Sequence, residues 1–294
     1  MAGVLVEAGP DAGLVWHHGD PFAEQRAMRD LEAVVELGNR PVVEISGPDR
    51  LAWLHALTSQ HLEQLPPGEG TTALILSPTG HIEQVLHGSD DGERFTCWTE
   101  PGHGQDLVSW LDSMRFMSRV EVRLREDLRV VWSGGTERIV GVSETVEGRP
   151  AGVWAYEAMR IAAQIPRIFL DTDHKTIPNE IGLYGTHLHK GCYRGQETVA
   201  RVQNLGRPPR RLVGLHFDGS VDLLPAHRAA LLLDGREVGF VGSAARHYEL
   251  GPIGLGLVRR NTPTEAELLT DGIAVAQETI VDPDVGLHFR PKLG

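Results

Sequence analysis

Lys190-Gly191-Cys192-Tyr193-Arg194-Gly195-Gln196-Glu197 places one of the two cysteines of this chain beside a lysine and between two glycines. The octapeptide gathers a nucleophile, two cations, an aromatic face, an amide and a carboxylate, with glycines that let the backbone approach a ligand closely. Three readings are open from these residues alone. Gly191 and Gly195 can form a plain turn around a small buried cysteine, with Glu197 supporting a following helix. Alternatively, Lys190 or Arg194 favours the Cys192 thiolate and makes it reactive, although no acid–histidine partner follows from the sequence. The third is a metal site, because His187, His189 and Cys192 are residue types that bind zinc or an iron–sulfur centre. It lacks a second ligand cluster, the other cysteine being the distant Cys97, so no protein-held metal is expected.

Of 294 residues, 41% are hydrophobic and 23% charged, and the formal net charge is −12. These values describe an ordinary soluble globular chain of two or three packed units. The acidic balance argues against a broad nucleic-acid or anionic-membrane surface. Arg207, Arg210 and Arg211 form the one dense basic run, and it is too short to change that. No segment approaches the ~20 apolar residues of a membrane span, and the N-terminus MAGVLVEAGPDAG has no secretory basic region. Two cysteines are too few for a disulfide framework, so free thiols in a reducing cytoplasm are expected. Lysine occurs only at 175, 190 and 292 against many arginines, a bias typical of a GC-rich bacterial genome. Phosphate-loop, dinucleotide-fingerprint and nucleophile-elbow patterns are all absent from the sequence.

The spacing predicts a helix over 22–37 and a strand over 42–45. A second helix, capped by Asp49, carries an apolar stripe of Leu51, Leu54 and Leu57 and runs until Pro66-Pro67-Gly68. Strands at 71–77 and 82–88 flank the turn Ser77-Pro78-Thr79-Gly80, a hairpin signal. A strand at 94–99, a helix over 104–114 and strands at 119–124 and 128–132 follow, then a helical piece around 156–165 and a long polar loop. Gly206-Arg207-Pro208-Pro209 marks a boundary between a region 1–206 and a C-terminal domain 207–294. In that domain, strands at 211–217, 229–233, 236–242, 253–259 and 272–280 predict a small antiparallel barrel or sandwich.

The octapeptide, followed by Thr198-Val199-Ala200-Arg201, resembles the signature of YgfZ-type proteins, folate-binding relatives of the glycine-cleavage T-protein associated with iron–sulfur cluster assembly and repair. Ile45-Ser46-Gly47-Pro48-Asp49 is similar to that superfamily's N-terminal strand–helix, and Ser77-Pro78-Thr79-Gly80-His81-Ile82 to its hairpin. Thr176-Ile177-Pro178-Asn179-Glu180-Ile181-Gly182 resembles its Pro-x-Glu segment, and 235–243 with 253–258 its barrel, so the likeness covers roughly residues 35–285. The resemblance implies an α+β fold of the T-protein type. Residues 1–206 would form two interleaved α+β subdomains around a central folate pocket, and 207–294 an antiparallel β-barrel.

It further implies tetrahydrofolate as the cofactor, with iron–sulfur client or assembly proteins as partners, no nucleic-acid or membrane partner, and a cytoplasmic place in a bacterium. Glu180 falls where the family binds the pterin, and a carboxylate can accept two hydrogen bonds from a 2-amino-pyrimidinone edge. Arg160 and Tyr156 fall near polar and aromatic positions of the folate site. By the same resemblance Cys192 would be the working thiol, and Lys190 would hold either its thiolate form or the folate glutamate tail. Gly191 and Gly195 shape the loop that Tyr193, Gln196 and Glu197 hold in place, with Arg194 part of the same signature. Three departures stand out. Arg40 occupies a position where some relatives carry an aromatic residue, and His189 precedes the lysine where an acidic or small residue is common. Above all, Gln84 stands where T-proteins carry the aspartate that acts on the aminomethyl group. An amide is no general base and supplies no charge to a cationic iminium. Aminomethyl transfer is therefore not expected, and whether the chain is an enzyme stays open, folate-dependent aminomethyl or methyl transfer being the alternative function.

Overall fold

The computed structural model describes residues 3–285. The chain divides into two compact units, each built from several segments. The first takes in the chain up to Ile75, then Gln84–Met159 and His189–Tyr193, and the second takes in Leu76–Glu83, Arg160–Leu188 and the chain from Arg194 onward.

The first unit opens with a small antiparallel hairpin of β1 (Val4–Leu5) and β2 (Val15–His17), followed by α1 (Pro21–Arg29). Asp20 caps α1 by accepting from the amides of Phe22 and Ala23, and Pro21 sits where no donor is needed. The sequence pattern predicts one helix over 22–37, and the structure corrects this. Leu31 adopts a left-handed φ of 62°, and the next residues form β3 (Ala33–Glu36). The β-branched pair Val34-Val35 is buried in a sheet, which suits its stiff side chains better than a helix does.

β4 (Val42–Ser46) leads into α2 (Arg50–Leu57), where Leu54 is fully buried and Leu51 and Leu57 pack beside it, as the apolar stripe predicts. Two expectations about α2 are corrected. The Asp49 carboxylate does not cap the helix; it accepts from the Arg119 amide and guanidinium instead. The helix also ends at Leu57, well short of Pro66, because Thr58 turns extended and Ser59 N donates to Leu74 O at 2.8 Å, committing the chain to strand pairing.

The remaining elements of this part are β5 (Gly70–Leu76), β6 (Ile82–Asp90), β7 (Arg94–Trp98), α3 (Gly104–Ser113), β8 (Glu121–Leu124), β9 (Leu128–Ser133), β10 (Thr136–Gly141), β11 (Arg149–Ala151) and α4 (Val153–Ala162). They form a five-stranded sheet in the order β5-β6-β7-β4-β8 and a four-stranded sheet in the order β10-β9-β3-β11, in which β11 runs parallel to β3. One apolar core lies between the five-stranded sheet and α2 and α3, with Phe95, Ile45 and Leu86 fully enclosed. A second gathers Met28, Val35, Val130 and Tyr156. Burying side chains of this size contributes roughly 1.5–3 kcal/mol each.

The second unit contains a 3-10 turn over Pro178–Ile181, helix α5 (Gln196–Leu205), and strands β12 (Arg210–Phe217), β13 (Ala230–Leu233), β14 (Arg236–His247), β15 (Gly251–Arg259), β16 (Leu268–Thr270) and β17 (Ile273–Thr279). The strands close into a barrel in the order β12-β15-β14-β13-β16-β17, and β17 pairs back onto β12. The three-residue β16 escapes the sequence pattern because it is too short to alternate visibly. Leu215, Leu231, Val241 and Val275 fill the barrel interior. Among the described residues, no helix is long and apolar enough to cross a membrane.

Candidate functional site

The signature octapeptide is shared between the units, Lys190–Tyr193 belonging to the first and Arg194–Glu197 to the second. In the first unit, Cys192 is exposed and Lys190 is buried. Lys190 Nζ donates to the backbone carbonyls of His55 and Thr58, the latter at 2.6 Å, and lies 4.9 Å from the centre of the Tyr193 ring. Burial lowers the Lys190 pKa to about 8 and pushes the Tyr193 phenol up to about 12. The His55 and His61 rings meet edge to face with centroids 4.8 Å apart. A side chain added at Gly191 would rest 3.8 Å from His55 Nε2, an ordinary contact, so nothing steric demands glycine there. Cys97, the other thiol, is enclosed, and burial pushes its pKa far above the ordinary range.

On β6 the alternation of a strand separates Glu83 from Gln84. Glu83 is exposed, while Gln84 is buried and its Oε1 has no hydrogen-bond partner among the described residues. Further along β6, His87 stacks on Trp98 at 4.0 Å. The Arg40 guanidinium lies 4.6 Å from the Trp98 ring and 4.8 Å from that of Tyr156. Tyr156 is thus covered on one face, and its hydroxyl donates to Glu137 at 2.8 Å. Burial, reinforced by the charge of Arg40, lowers the His87 pKa to about 3.

In the second unit, Gly195 stands at the N-cap of α5 with φ 79°, and a Cβ there would lie 2.5 Å from Ser77 O. It therefore has to be glycine. The hairpin tip that it meets is closed by Ser77 N donating to His81 O at 2.8 Å. Arg194 donates to Glu83 at 2.9 Å across a partly exposed ion pair. Glu197 is exposed in the first turn of α5, and Gln196 is half-buried.

Glu180 lies in the 3-10 turn and is fully enclosed. Its carboxylate accepts from Arg210 Nε at 2.8 Å and Nη2 at 2.9 Å, and from the Ile177 amide at 3.1 Å. Arg210 also binds both oxygens of Asp173, at 2.6 and 3.0 Å. Burial alone would raise the Asp173 pKa, but the Arg210 hydrogen bonds outweigh it and hold the carboxyl well below the usual range. Arg160 is likewise committed, donating to Ile165 O at 2.6 Å, to Asp171 at 2.9 Å and to the Ser243 hydroxyl at 2.8 Å.

Each residue that the sequence singles out for folate contact is therefore buried and engaged by protein groups. Sequence reading missed those partners. Arg210 stood out only as part of a basic run, and Asp173, Asp171 and the carbonyls of α2 carry no local signal at all. Among the described residues, no group of three or more His, Cys, Asp or Glu side chains is placed to hold a metal ion.

Two sheets with their helices, and a closed six-stranded barrel, make up the fold of the glycine-cleavage T-protein. The crystal structure of the glycine cleavage system aminomethyltransferase T from Bartonella henselae matches with a TM-score of 0.75, covering 96% of this chain and 95% of that one at 15% identity. In sequence the chain is similar to a putative chloroplastic transferase of Arabidopsis thaliana, 22% identical over 81% of this chain and 68% of the relative. It is also similar to the aminomethyltransferase of Rippkaea orientalis, 25% identical over 91% of this chain. The match spans 63% of the length of that enzyme and 53% of its Nostoc counterpart. No family model matches the chain.

Proposed function

We propose that this chain binds tetrahydrofolate and supports the assembly or repair of iron–sulfur enzymes, with Cys192 as the working thiol. The observation that carries the reading is an exposed cysteine in a T-protein fold whose strand β6 presents a buried amide, Gln84, where a transferase would need a carboxylate. Glu83 is no substitute, since it points to the other face and pairs with Arg194. Glu180 is the proposed acceptor for the pterin edge. Arg210 and the Ile177 amide already give its enclosed carboxylate three hydrogen bonds, so accepting two from a pterin edge requires Arg210 to turn wholly to Asp173, which it already binds. The polar groups of Arg160 and of Tyr156 are already committed to protein partners, so neither is offered for a direct hydrogen bond to the ligand. A cytoplasmic setting suits a free, exposed thiol.

The test is complementation of bacterial cells lacking their native protein of this kind, run beside calorimetry with tetrahydrofolate. Cys192→Ser is expected to abolish support of iron–sulfur enzyme activity while folate affinity stays within about twofold. Full complementation by that variant would sink the role of the thiol.

A second reading, folate-dependent aminomethyl or methyl transfer, is favoured by the names of the relatives. It requires turnover of tetrahydrofolate with a methylamine-type donor by the wild-type chain. Folate binding without turnover excludes it.

A further inference from the structure

A lysine ammonium carries three N–H donors. In Lys190, two are spent on the carbonyls of His55 and Thr58, and the Tyr193 ring stands over the group. Two of the three donors are thereby committed to the backbone, and with the residue 6% exposed the ammonium is turned away from solvent. The two carbonyls lie in the last turn and C-cap of α2, where a helix leaves its acceptors unused and its dipole favours a cation. The amide that would have met the His55 carbonyl in a continuing helix is that of Ser59, and it donates to Leu74 instead. Lys190 thus fills a vacancy that the early end of α2 creates. Gly191 is not constrained sterically, so the fixed points of this half of the signature are Lys190 and Tyr193.

We propose that Lys190 is a positioning residue, a latch that ties the Cys192 loop to the C-terminal end of α2, rather than a cation that activates the thiol or grips a ligand. The assignment rests on Cys192 being the functional thiol, but its test reads the loop directly. In the full chain, amide hydrogen exchange over 189–193 is measured together with the pH profile of Cys192 alkylation by iodoacetamide. Cys97 is enclosed and does not compete.

Lys190→Met is expected to speed exchange over 189–193 at least tenfold, with the remaining amides of the first unit unchanged. The midpoint of the alkylation profile is expected to stay within about 0.2 pH units. Tyr193→Leu, which keeps the carbonyl bonds, should move exchange in the same direction by about threefold. Unchanged loop exchange in Lys190→Met overturns the latch, and so does slower alkylation with a midpoint raised by half a unit or more, which would make the lysine a direct activator. If Lys190→Met does not fold, Tyr193→Leu decides alone, and unchanged exchange there overturns the proposal. Failure of Cys192→Ser to lose complementation would strike the thiol's function and leave the latch standing.

Discussion

Position 87 holds a histidine kept neutral by its surroundings, stacked on Trp98 with the Arg40 charge nearby. Its folded-state pKa of about 3 lies below the ordinary 6.5, so the unfolded chain binds the extra proton more readily. Its contribution to stability is therefore complete above pH 6.5 and is lost as pH falls from there towards 3. At pH 4.5 the loss should be roughly 2–3 kcal/mol at 1.36 kcal/mol per unit. Urea unfolding followed by tryptophan fluorescence at pH 7.5 and 4.5 should show this, and His87→Gln should lose that share of the pH dependence. The same slope in both proteins would mean that folding does not disfavour protonation of His87. Three positions earlier, Gln84 buries a carbonyl oxygen with no partner among the described residues, which costs about 1–3 kcal/mol. Gln84→Met, similar in shape and without the orphan, is expected to leave the urea midpoint unchanged or raise it. A clear loss of stability would show that the amide has a partner in solution.

Among the elements, the hairpin tip and the start of α5 make the sharpest demand on sequence. Gly195→Ala forces a left-handed φ on alanine and drives its Cβ into Ser77 O, whereas Gly191→Ala meets nothing closer than ordinary contact. The first should cost at least about 1–2 kcal/mol from backbone strain alone, and the second close to nothing. Thermal unfolding of the two variants side by side checks this, and equal melting temperatures would contradict it. Turn chemistry made the Ser77–Gly80 hairpin legible from the sequence, and the apolar stripe did the same for α2. The helix expected over 22–37 failed because composition alone does not say that Val34 and Val35 find strand partners in β9 and β11.

At the scale of the whole molecule, the second unit is held by one buried and one partly buried charge network as well as by its barrel core. Arg160, Asp171 and Ser243 form one, and Arg210 joins Glu180 to Asp173 in the other. Removing one member strands the opposite charge in a low-dielectric interior, which typically costs about 3–5 kcal/mol. Arg160→Met should accordingly destabilise the second unit by that amount, read as faster amide exchange in β12 and β15. Asp171→Leu added to it should recover a large part. If the double variant is no better than the single, the cost lies in packing around Arg160 and not in the stranded carboxylate.

The sequence by itself determined what local forces decide. Side-chain periodicity and turn residues act over two to four positions, and they placed the hairpin, α2, α3 and five of the six barrel strands. The signature octapeptide was likewise visible as a motif. Tertiary structure alone decided what each member of the motif and each candidate ligand residue touches. Lys190 meets carbonyls 135 and 132 positions away, and Glu180 meets an arginine 30 positions on. Such pairings depend on which chain ends and strands the fold brings side by side. A buried charge must take whatever partner that arrangement supplies, and no pattern along the chain encodes the choice.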